Sequence, residues 1–550
     1  MAKGSRFVPA KFQNQLPWDQ LILHDVPEND EAVPMDVVFV GAGPAGLAGA
    51  IELAKLVKED NENGGGIGDV EIGVLEKAGS LGGHNLSGAV VNPMALKMLF
   101  PEMDAKDFPF RIPVPGDAVY MLSENGSTRI PTPPTMHNTG NYVASICEIV
   151  RWMGEKAEEM GVNMLMGFPA DSLLMRDGAV EGVRTTPAGL DRDSQPGGQY
   201  MPPTDIMAQV TVLTEGTRGP LAQAYMKAQD IESESPQIYA LGVKEVWRLK
   251  KAPDSVIHTM GWPLPKDAFG GSFFYPMGED MAALGLVVGL DYRQSALDVH
   301  KMLQQMKEHP LFKSYFEGGE IVEWGAKTIP EGGFHSLPKR LHGNGLLMAG
   351  DCVGMVNVPS LKGIHYAMLS GIYAARSAFK ALKAKDTSAT QLAGYDQLVK
   401  DSVIHKDLYK VRNMRQAFKS GFYVGGAKAA MMTLTGGAFP GGCGHKEEDG
   451  EEWKDVTEGQ KGTGLSKVDA VYLSANKTRD DIPSHLAVGK DVPPHVADFY
   501  THMCPAGVYE MQGDQLVVNA PNCVDCKATD VLGPRWRPRE GGSGPNYTVM

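Results

Sequence analysis

The sequence has few cysteines, fewer basic than acidic residues, and no long apolar run. Six cysteines in 550 residues are too few for a disulfide framework. Lys and Arg number 52 against 66 Asp and Glu, for a net charge of −14, which argues against a nucleic-acid partner. No uninterrupted apolar stretch reaches the ~18 residues of a membrane-spanning helix. The N-terminus also lacks the apolar core of a secretory signal.

What the sequence has in quantity is length and glycine. A chain of 550 residues is long enough for two to four domains. Its 65 glycines and 37 prolines follow no fixed period, so they indicate many tight turns rather than a fibrous repeat. The hydrophobic fraction of 43% excludes a wholly disordered chain.

A glycine-rich turn near the N-terminus predicts a dinucleotide-binding βαβ unit. A short strand over 36–40 runs into GAGPAG at 41–46, a helical pattern follows, and a second strand over 70–78 contains Glu76. Gly41 permits the tight turn, Gly43 lets the backbone approach a pyrophosphate, and Gly46 permits close helix packing. Glu76 is the expected acceptor for ribose hydroxyls. The alternative is a structural turn that binds no ligand.

A second feature late in the chain favours FAD over NAD. The strand pattern GLLMAGD ends in Gly350 and Asp351, just ahead of a predicted helix over 363–382. This pair resembles the element of two-dinucleotide-type flavoproteins that binds the ribityl chain. The positive end of the following helix would stabilise a reduced, anionic flavin. The alternative interpretation of the pair is a simple helix cap.

Eight stretches spread along the chain carry a family resemblance. They are LSGA (86–89), HNTGNY (137–142), GWPLPKDAFGGSFFY (261–275), LGLVVGLDY (284–292), EGGF (331–334), NVP (357–359), CPAGVYE (504–510) and PREGGSGPNY (538–547). Together they resemble the electron-transfer flavoprotein:ubiquinone oxidoreductase family over nearly the whole length.

The resemblance implies an oxidoreductase that takes electrons from reduced electron-transfer flavoprotein. It would pass them through an iron–sulfur cluster and FAD to ubiquinone. The implied fold class is α/β and α+β: a two-dinucleotide-type Rossmann-like FAD domain interleaved with a quinone-binding domain, plus a ferredoxin-like iron–sulfur domain. The predicted boundaries are a lead-in at 1–34, the FAD domain at 35–150, a mixed region at 151–260 that returns to the FAD domain at 205–225, the ubiquinone domain at 261–340, the last FAD part at 341–385, a helical membrane-contacting region at 386–445 and the iron–sulfur domain at 446–550.

The site residues follow from the motifs and from the resemblance. Predicted FAD contacts are Gly41, Gly43, Pro44, Ala45, Gly46, Glu76, Lys77, Ser87, Gly88, Gly350, Asp351, Asn357 and Val358. Gly270 and Gly271 match the pair whose backbone contacts the quinone in the family; on their own they read as a turn before a strand. No acid–base triad or nucleophile is predicted.

Because ubiquinone has a long apolar tail, we expect a monotopic protein that enters one leaflet. The two predicted membrane-contacting segments are 82–100 and 421–442, although the second could equally be a buried core element. The absence of a transit peptide favours the cytoplasmic face of a bacterial inner membrane. A eukaryotic protein would lie on the matrix face of the mitochondrial inner membrane. The acidic stretch 445–455 is interpreted as a linker.

The C-terminal cysteines predict a metal site. Cys504 precedes a proline, and Cys523 and Cys526 form a C-x₂-C pair, a pattern typical of iron–sulfur ligation. The family pattern continues to a further cysteine, but Thr529 stands there. Three outcomes stay open: a [4Fe–4S] cluster with an oxygen ligand from Thr529, Asp530 or water, a [3Fe–4S] cluster on three thiolates, or an empty or zinc-bound site.

Two other functions are considered. One is an FAD-dependent reductase of the geranylgeranyl type that acts directly on a small molecule or isoprenoid. The other is a non-enzymatic scaffold with structural zinc. A visible absorption spectrum separates the scaffold from the flavoproteins.

Overall fold

The computed structural model describes residues 6–27, 29–88, 90–438, 444, 446–459 and 462–550. The strands are β1 Arg6–Phe7, β2 Ile22–His24, β3 Val33–Val40, β4 Ile72–Glu76, β5 Val90–Val91, β6 Phe110–Pro113, β7 Asp117–Ser123, β8 Gly126–Ile130, β9 Tyr142–Ala144, β10 Asn163–Met166, β11 Ala170–Arg176, β12 Ala179–Thr185, β13 Ala188–Leu190, β14 Pro196–Met201, β15 Asp205–Leu213, β16 Tyr239–Arg248, β17 Val256–Gly261, β18 Gly270–Pro276, β19 Met281–Gly289, β20 Glu320–Pro330, β21 His342–Gly343, β22 Leu346–Met348, β23 Lys454–Asp455, β24 Leu486–Ala487, β25 Tyr509–Gln512, β26 Gln515–Val518 and β27 Arg535–Trp536.

The α-helices are α1 Trp18–Leu21, α2 Pro44–Glu62, α3 Met94–Leu99, α4 Ile146–Glu159, α5 Pro220–Ala228, α6 Val299–Lys307, α7 Lys313–Phe316, α8 Ile364–Ala384, α9 Ala389–Leu392, α10 Gly394–Asp401, α11 Val403–Lys410, α12 Met414–Ala417, α13 Phe422–Leu434, α14 Lys467–Tyr472, α15 Pro494–Met503 and α16 Ala528–Leu532. The predicted strands at 36–40 and 70–78 correspond to β3 and β4, and the predicted helix over 363–382 is α8.

A nine-stranded sheet carries the dinucleotide-binding unit. Its strand order is β10-β4-β3-β15-β12-β11-β2, with β22 also paired to β15 and β21 to β22. The strands β10, β4, β3, β15 and β22 run parallel. Residues 37–40 of β3 are buried, because helices cover both faces of a parallel sheet and leave its strands continuously apolar.

The second large sheet has seven strands. Its order is β20-β16-β19-β18-β17-β7-β8, and its pairs are antiparallel except β17 with β7. Its strands come from two separate parts of the chain, residues 117–130 and 239–330. The sheet therefore assembles by pairing β17 with a strand more than a hundred residues earlier. The predicted mixed α/β and α+β fold class is confirmed.

Residues 446–455 of the acidic stretch predicted as a linker form a strap that is anchored by buried side chains, so that interpretation is wrong. Lys446 donates to the Gly332 carbonyl and to Ser336 Oγ. Lys454 is fully buried, and its ammonium donates to two backbone carbonyls. Buried ammonium groups need such acceptors, and they come from residues that local sequence does not reveal.

Candidate functional site

A cavity of about 350 Å³ lies between the two sheets. Its lining includes the glycine-rich turn and the start of α2, together with Glu76, Phe168, Asp351 and Val358. Its far wall comes from the seven-stranded sheet, through Phe273, Tyr275 and Val287. The cavity thus runs across the carboxyl ends of β3 and β4, the usual ligand position in open parallel sheets.

The three glycines of the turn meet different surroundings. Gly41 has φ +112, and a Cβ there would lie 2.6 Å from the Thr214 carbonyl oxygen. A Cβ on Gly46 would lie 2.0 Å from the Gly41 oxygen, so both positions exclude a side chain. Gly43 instead lines the cavity, where a Cβ would meet only Asn85 Oδ1 at 3.7 Å. Pro44 and Ala45, at the start of α2, also line the cavity, and the helix N-terminus there suits a phosphate.

Glu76 and Lys77 lie at the end of β4 and line the same cavity. The Glu76 carboxylate accepts from the Ala42 amide at 3.0 Å and from the Ala78 amide at 2.8 Å. These two bonds fix its orientation at the edge of the turn. Lys77 forms an ion pair of 2.7 Å with Asp525, which links the dinucleotide unit to the C-terminal region.

Gly350, which precedes the lining residue Asp351, adopts φ +78, and its amide donates to Ser370 Oγ on α8. Asp351 lines the cavity, and burial raises the pKa of its carboxyl to about 6. Val358 is a lining residue, whereas Asn357 lies behind the wall, where its Oδ1 accepts from the Ser360 amide.

Ser87 and Gly88 also line the cavity. The Lys244 ammonium donates to the Ser87 carbonyl at 3.0 Å, which anchors this loop to the seven-stranded sheet. A Cβ on Gly88 would lie 3.7 Å from the Tyr275 ring, so this loop packs closely on the seven-stranded sheet. Ala89 lies outside the described residues.

Tyr275 belongs to a buried pair on the far wall. Its hydroxyl lies 2.6 Å from Nε2 of His258, which is also buried. Burial raises the pKa of Tyr275 and lowers the pKa of His258 to about 3. Both groups are therefore neutral near pH 7, and the pair is a hydrogen-bonded dipole rather than an ion pair.

Gly270 and Gly271 begin β18, the strand that carries Phe273 and Tyr275 into the cavity. They pair with Val288 and Val287 of β19 and are not among the cavity's lining residues. A Cβ on Gly271 would lie 2.5 Å from the Thr259 carbonyl oxygen. The glycines therefore lie at the strand end next to the cavity, and they cannot accept side chains without displacement of the sheet.

The three C-terminal cysteines are buried in the same hydrophobic cluster as Tyr509, and burial raises the pKa of each thiol. Cys504 follows α15, Cys523 follows a 3₁₀ turn, and Cys526 precedes α16. The other described cysteines, Cys147 and Cys352, are buried in the nine-stranded-sheet core, and Cys443 lies outside the described residues. The three thiols have the chemistry that iron–sulfur ligation requires.

Among the described residues, one compact group of three candidate ligands has its atoms within 4.8 Å of one another: His485, Cys523 and Asp525. Asp525 there accepts from Arg539 at 3.0 Å and pairs with Lys77 at 2.7 Å. Its charge is thus already neutralised by cations that would repel a divalent ion. The arrangement therefore fits zinc poorly at this position.

The cysteine pocket and the cavity share a wall. The Thr328 amide of β20 donates to the Cys526 carbonyl at 2.9 Å, and Thr328 lines the cavity. Lys327 and Lys527 also line it, and burial lowers their pKa values to about 8 and about 7. An anionic ligand in the cavity would raise both values again.

Sequence reasoning missed these two lysines and Trp536, another lining residue. Single lysines in a strand and after a cysteine have no diagnostic spacing. Only the packing of the C-terminal region on the cavity reveals them, since Lys527 and Trp536 lie far along the chain from the glycine-rich turn.

An exposed apolar face lies on α13. Val424, Met431 and Leu434 are 53%, 49% and 87% exposed, and their spacing places them on one side of the helix. The opposite side packs through Met432 on Met414 and Ala417. In the described part of the chain, no helix is long and apolar enough to cross a membrane. Phe439 of the predicted segment lies outside the described residues.

The fold and the cavity define a dinucleotide-binding oxidoreductase architecture with a C-terminal cysteine site. A solved structure described as geranylgeranyl bacteriochlorophyll reductase-like, from Thermoplasma acidophilum, has the same fold. It aligns with a TM-score of 0.56 and 17% identity over 75% of this chain and 93% of its own. A flavin-dependent brominase variant aligns with a TM-score of 0.51 and 17% identity over 74% and 94% of the two chains. These likenesses concern the fold.

Sequence comparison gives the family. The chain belongs to the electron transfer flavoprotein-ubiquinone oxidoreductase family. The family model "ETF-QO, ubiquinone-binding" matches residues 239–329, and "Electron transfer flavoprotein-ubiquinone oxidoreductase, 4Fe-4S" matches 463–548. The mitochondrial enzyme of Oryza sativa subsp. japonica is 37% identical over 94% of both chains. That of Homo sapiens is 38% identical over 94% of this chain and 89% of its own. The predicted family is confirmed, and the geranylgeranyl-type alternative is not favoured.

Proposed function

We propose that this protein transfers electrons from reduced electron-transfer flavoprotein to ubiquinone through a cluster on the C-terminal cysteines and an FAD in the cavity. The observation that carries the proposal is the shared wall between the two sites. Thr328 lines the cavity while its amide is bonded to the Cys526 carbonyl. Two redox groups in these places would be separated by little more than one strand.

The residues of the cavity suit FAD. The open side of Gly43 and the N-terminus of α2 would hold the pyrophosphate. Glu76 would accept from the adenosine ribose, and Lys77 lies beside it. Gly350, Asp351 and Val358, with Ser87 and Gly88, would enclose the other end, with Asn357 supporting the wall. When bound, FAD supplies a carrier that exchanges electrons singly or in pairs.

The seven-stranded sheet would bring the quinone to the flavin. Gly270 and Gly271 would offer backbone groups at the end of the strand that carries Tyr275 into the cavity. The ring centroid of Phe269, the residue before Gly270, lies 5.4 Å from that of Phe418. Phe418 lies four residues before the start of α13. An apolar tail leaving the strand end would therefore run toward the exposed face of that helix.

This exposed face and α3 are the surfaces we propose for contact with one leaflet. On α3, Met94 and Met98 are 39% and 37% exposed, four residues apart and so on one side of the helix. Apolar faces of this kind insert at the head-group boundary without spanning the bilayer. The relatives named above are mitochondrial forms. We propose the matrix face of the mitochondrial inner membrane in a eukaryote and the cytoplasmic face of the inner membrane in a bacterium.

The test is quinone reduction by the holoprotein with chemically reduced electron-transfer flavoprotein as donor. We expect flavin absorption bands, iron with acid-labile sulfide, and donor-dependent quinone reduction. Omitting the donor flavoprotein, or replacing it with NADH, provides the control. Flavin without donor-dependent quinone reduction would contradict the proposal, as would stoichiometric zinc with no flavin, the expected result for a scaffold.

A further inference from the structure

The cysteine pocket contains two hydroxyl groups beside its three thiols. Thr529 follows Cys526 by three residues, the same interval that separates Cys523 from Cys526. Thr529 is 7% exposed and Tyr509 3%, and their oxygens lie 2.5 Å apart. Thr529 Oγ1 also donates to the Pro534 carbonyl at 3.1 Å. Because its proton is used there, the Tyr509 hydroxyl donates to Thr529, whose remaining lone pair stays available.

The nearby carboxylates already have partners. Asp530 pairs with Arg218 at 2.7 Å, and its other oxygen accepts from the Trp536 amide. Asp525 accepts from Arg539 and Trp536 and pairs with Lys77. Releasing either carboxylate would leave a buried guanidinium or ammonium without its counter-ion, which is strongly destabilising. Of the side-chain oxygens beside Cys526, the Thr529 hydroxyl is therefore the one that can bind iron without releasing a buried cation.

We propose that the cysteines hold three irons of a [4Fe–4S] cluster and that the Thr529 hydroxyl, positioned by Tyr509, takes the place of the fourth thiolate. This inference rests on the proposed function. A neutral oxygen is a harder and weaker ligand for this iron than a thiolate. The fourth iron is therefore exchangeable, whereas the other three are not.

Loss and return of the fourth iron involve one iron ion and one electron. With a one-electron oxidant such as ferricyanide, a [4Fe–4S]²⁺ cluster gives one electron to the oxidant and releases one Fe²⁺, which leaves [3Fe–4S]⁺. Ferrous iron together with one electron from dithionite reverses the step. No sulfide and no cysteine ligand is lost in either direction.

The experiment treats the FAD-loaded protein with ferricyanide, removes small molecules, and measures iron, acid-labile sulfide and the EPR spectrum. We expect the iron-to-sulfide ratio to fall from about one to about three-quarters, with the EPR signal of an oxidised three-iron cluster. Added ferrous iron and dithionite should restore the ratio and remove the signal.

Three substitutions at position 529 test whether the side chain there is an iron ligand. Thr529→Cys should retain all four irons through the same treatment, because it supplies a thiolate. Thr529→Ser should behave like the parent protein, and Thr529→Val should lose the fourth iron faster or be isolated without it. Thr501→Cys, on α15 with its hydroxyl bonded to the Asp498 carbonyl, is the matched control for an added thiol and should not retain the iron.

Four tightly held irons in the parent protein would overturn this inference and leave the proposed function intact. Equal iron loss in the serine and valine variants would also overturn it, and that comparison serves if the cysteine variant does not fold. A holoprotein that contains flavin but neither iron nor sulfide would overturn both the inference and the proposed electron path.

Discussion

Two glycines of the same turn have separate tasks at the scale of single residues. Gly46 faces protein, where a Cβ would lie 2.0 Å from the Gly41 oxygen and 2.8 Å from Thr214 Oγ1. Gly43 faces the cavity, where the nearest atom to a Cβ is Asn85 Oδ1 at 3.7 Å. The first glycine is therefore required for folding, and the second for the approach of a ligand.

We expect Gly46→Ala and Gly43→Ala to separate stability from cofactor affinity. Gly46→Ala should destabilise the cofactor-free protein by about 2 kcal/mol or more, since backbone must move to accept the methyl group. Gly43→Ala should change that stability by less than about 0.5 kcal/mol but weaken FAD binding at least tenfold. Urea unfolding of the apoprotein and titration with FAD measure the two effects. Equal losses of stability in both variants would contradict the assignment.

At the scale of elements, the sequence was sufficient to predict helices and strands whose signals lie within a short window of the chain. The β3-α2-β4 unit and α8 were predictable, because an apolar strand, a glycine-rich turn and helical periodicity lie within short windows. The strap at 446–455 was not predictable, because Lys454 is satisfied by carbonyls of Leu290 and Tyr292. The acidic residues around Lys454 are typical of a solvated linker, and this pattern concealed the anchored strap.

The same limit applies to the candidate site. Gly41 and Asp351 carried a recognisable spacing and line the cavity, whereas Gly46 packs against the Gly41 oxygen. Lys327 and Trp536 carried none, and only the packing of β20 and the C-terminal region brings them to the cavity. Likewise, no local pattern indicates that Tyr509 of β25 is hydrogen-bonded to Thr529 of α16.

The α13 face provides a prediction for an element. Leu434→Asp should lower binding to liposomes several-fold, because it places a charge on the apolar face. Reduction of long-tailed ubiquinone should slow, whereas a short-tailed analogue in detergent should be reduced at the parent rate. Cosedimentation and quinone assays measure these effects.

The control for that experiment is Val468→Asp. Val468 is 61% exposed on α14, in the region matched by the 4Fe-4S family model. The Val468→Asp variant tests whether an added surface charge anywhere weakens binding to liposomes. Equal loss of liposome binding in the two variants would contradict a specific role for α13.

At the scale of the whole molecule, buried neutral histidines set the response to acid. Burial, and to a smaller extent the charge of Lys362, lowers the pKa of His258 to about 3 and that of His365 to about 4. Both values lie below the pKa of about 6.5 in the unfolded chain. Below pH 6.5 the unfolded state therefore binds more protons, and stability falls as the pH falls.

We expect the unfolding free energy to fall as the pH drops below about 6.5. Each such histidine contributes about 1.4 kcal/mol per pH unit until its native pKa is reached. His258→Gln should remove about 2 kcal/mol of the loss between pH 6.5 and 5. Denaturant midpoints at several pH values measure this, with exposed His137→Gln as control. An unchanged acid slope in His258→Gln would refute the prediction.

The pairing of β1 with β23 has a consequence for synthesis on the ribosome. Arg6 and Asp455, 449 residues apart in sequence, are joined by an ion pair of 2.9 Å. At about 5–20 residues per second, the first strand waits some 20 to 90 seconds for its partner to be translated. The seven-stranded sheet needs only residues up to 330, whereas the cysteine pocket is complete only after residue 526 has been translated. The nascent chain therefore carries β1 without its partner for most of the translation time, and a cluster can load on the cysteines only at the end of translation or later.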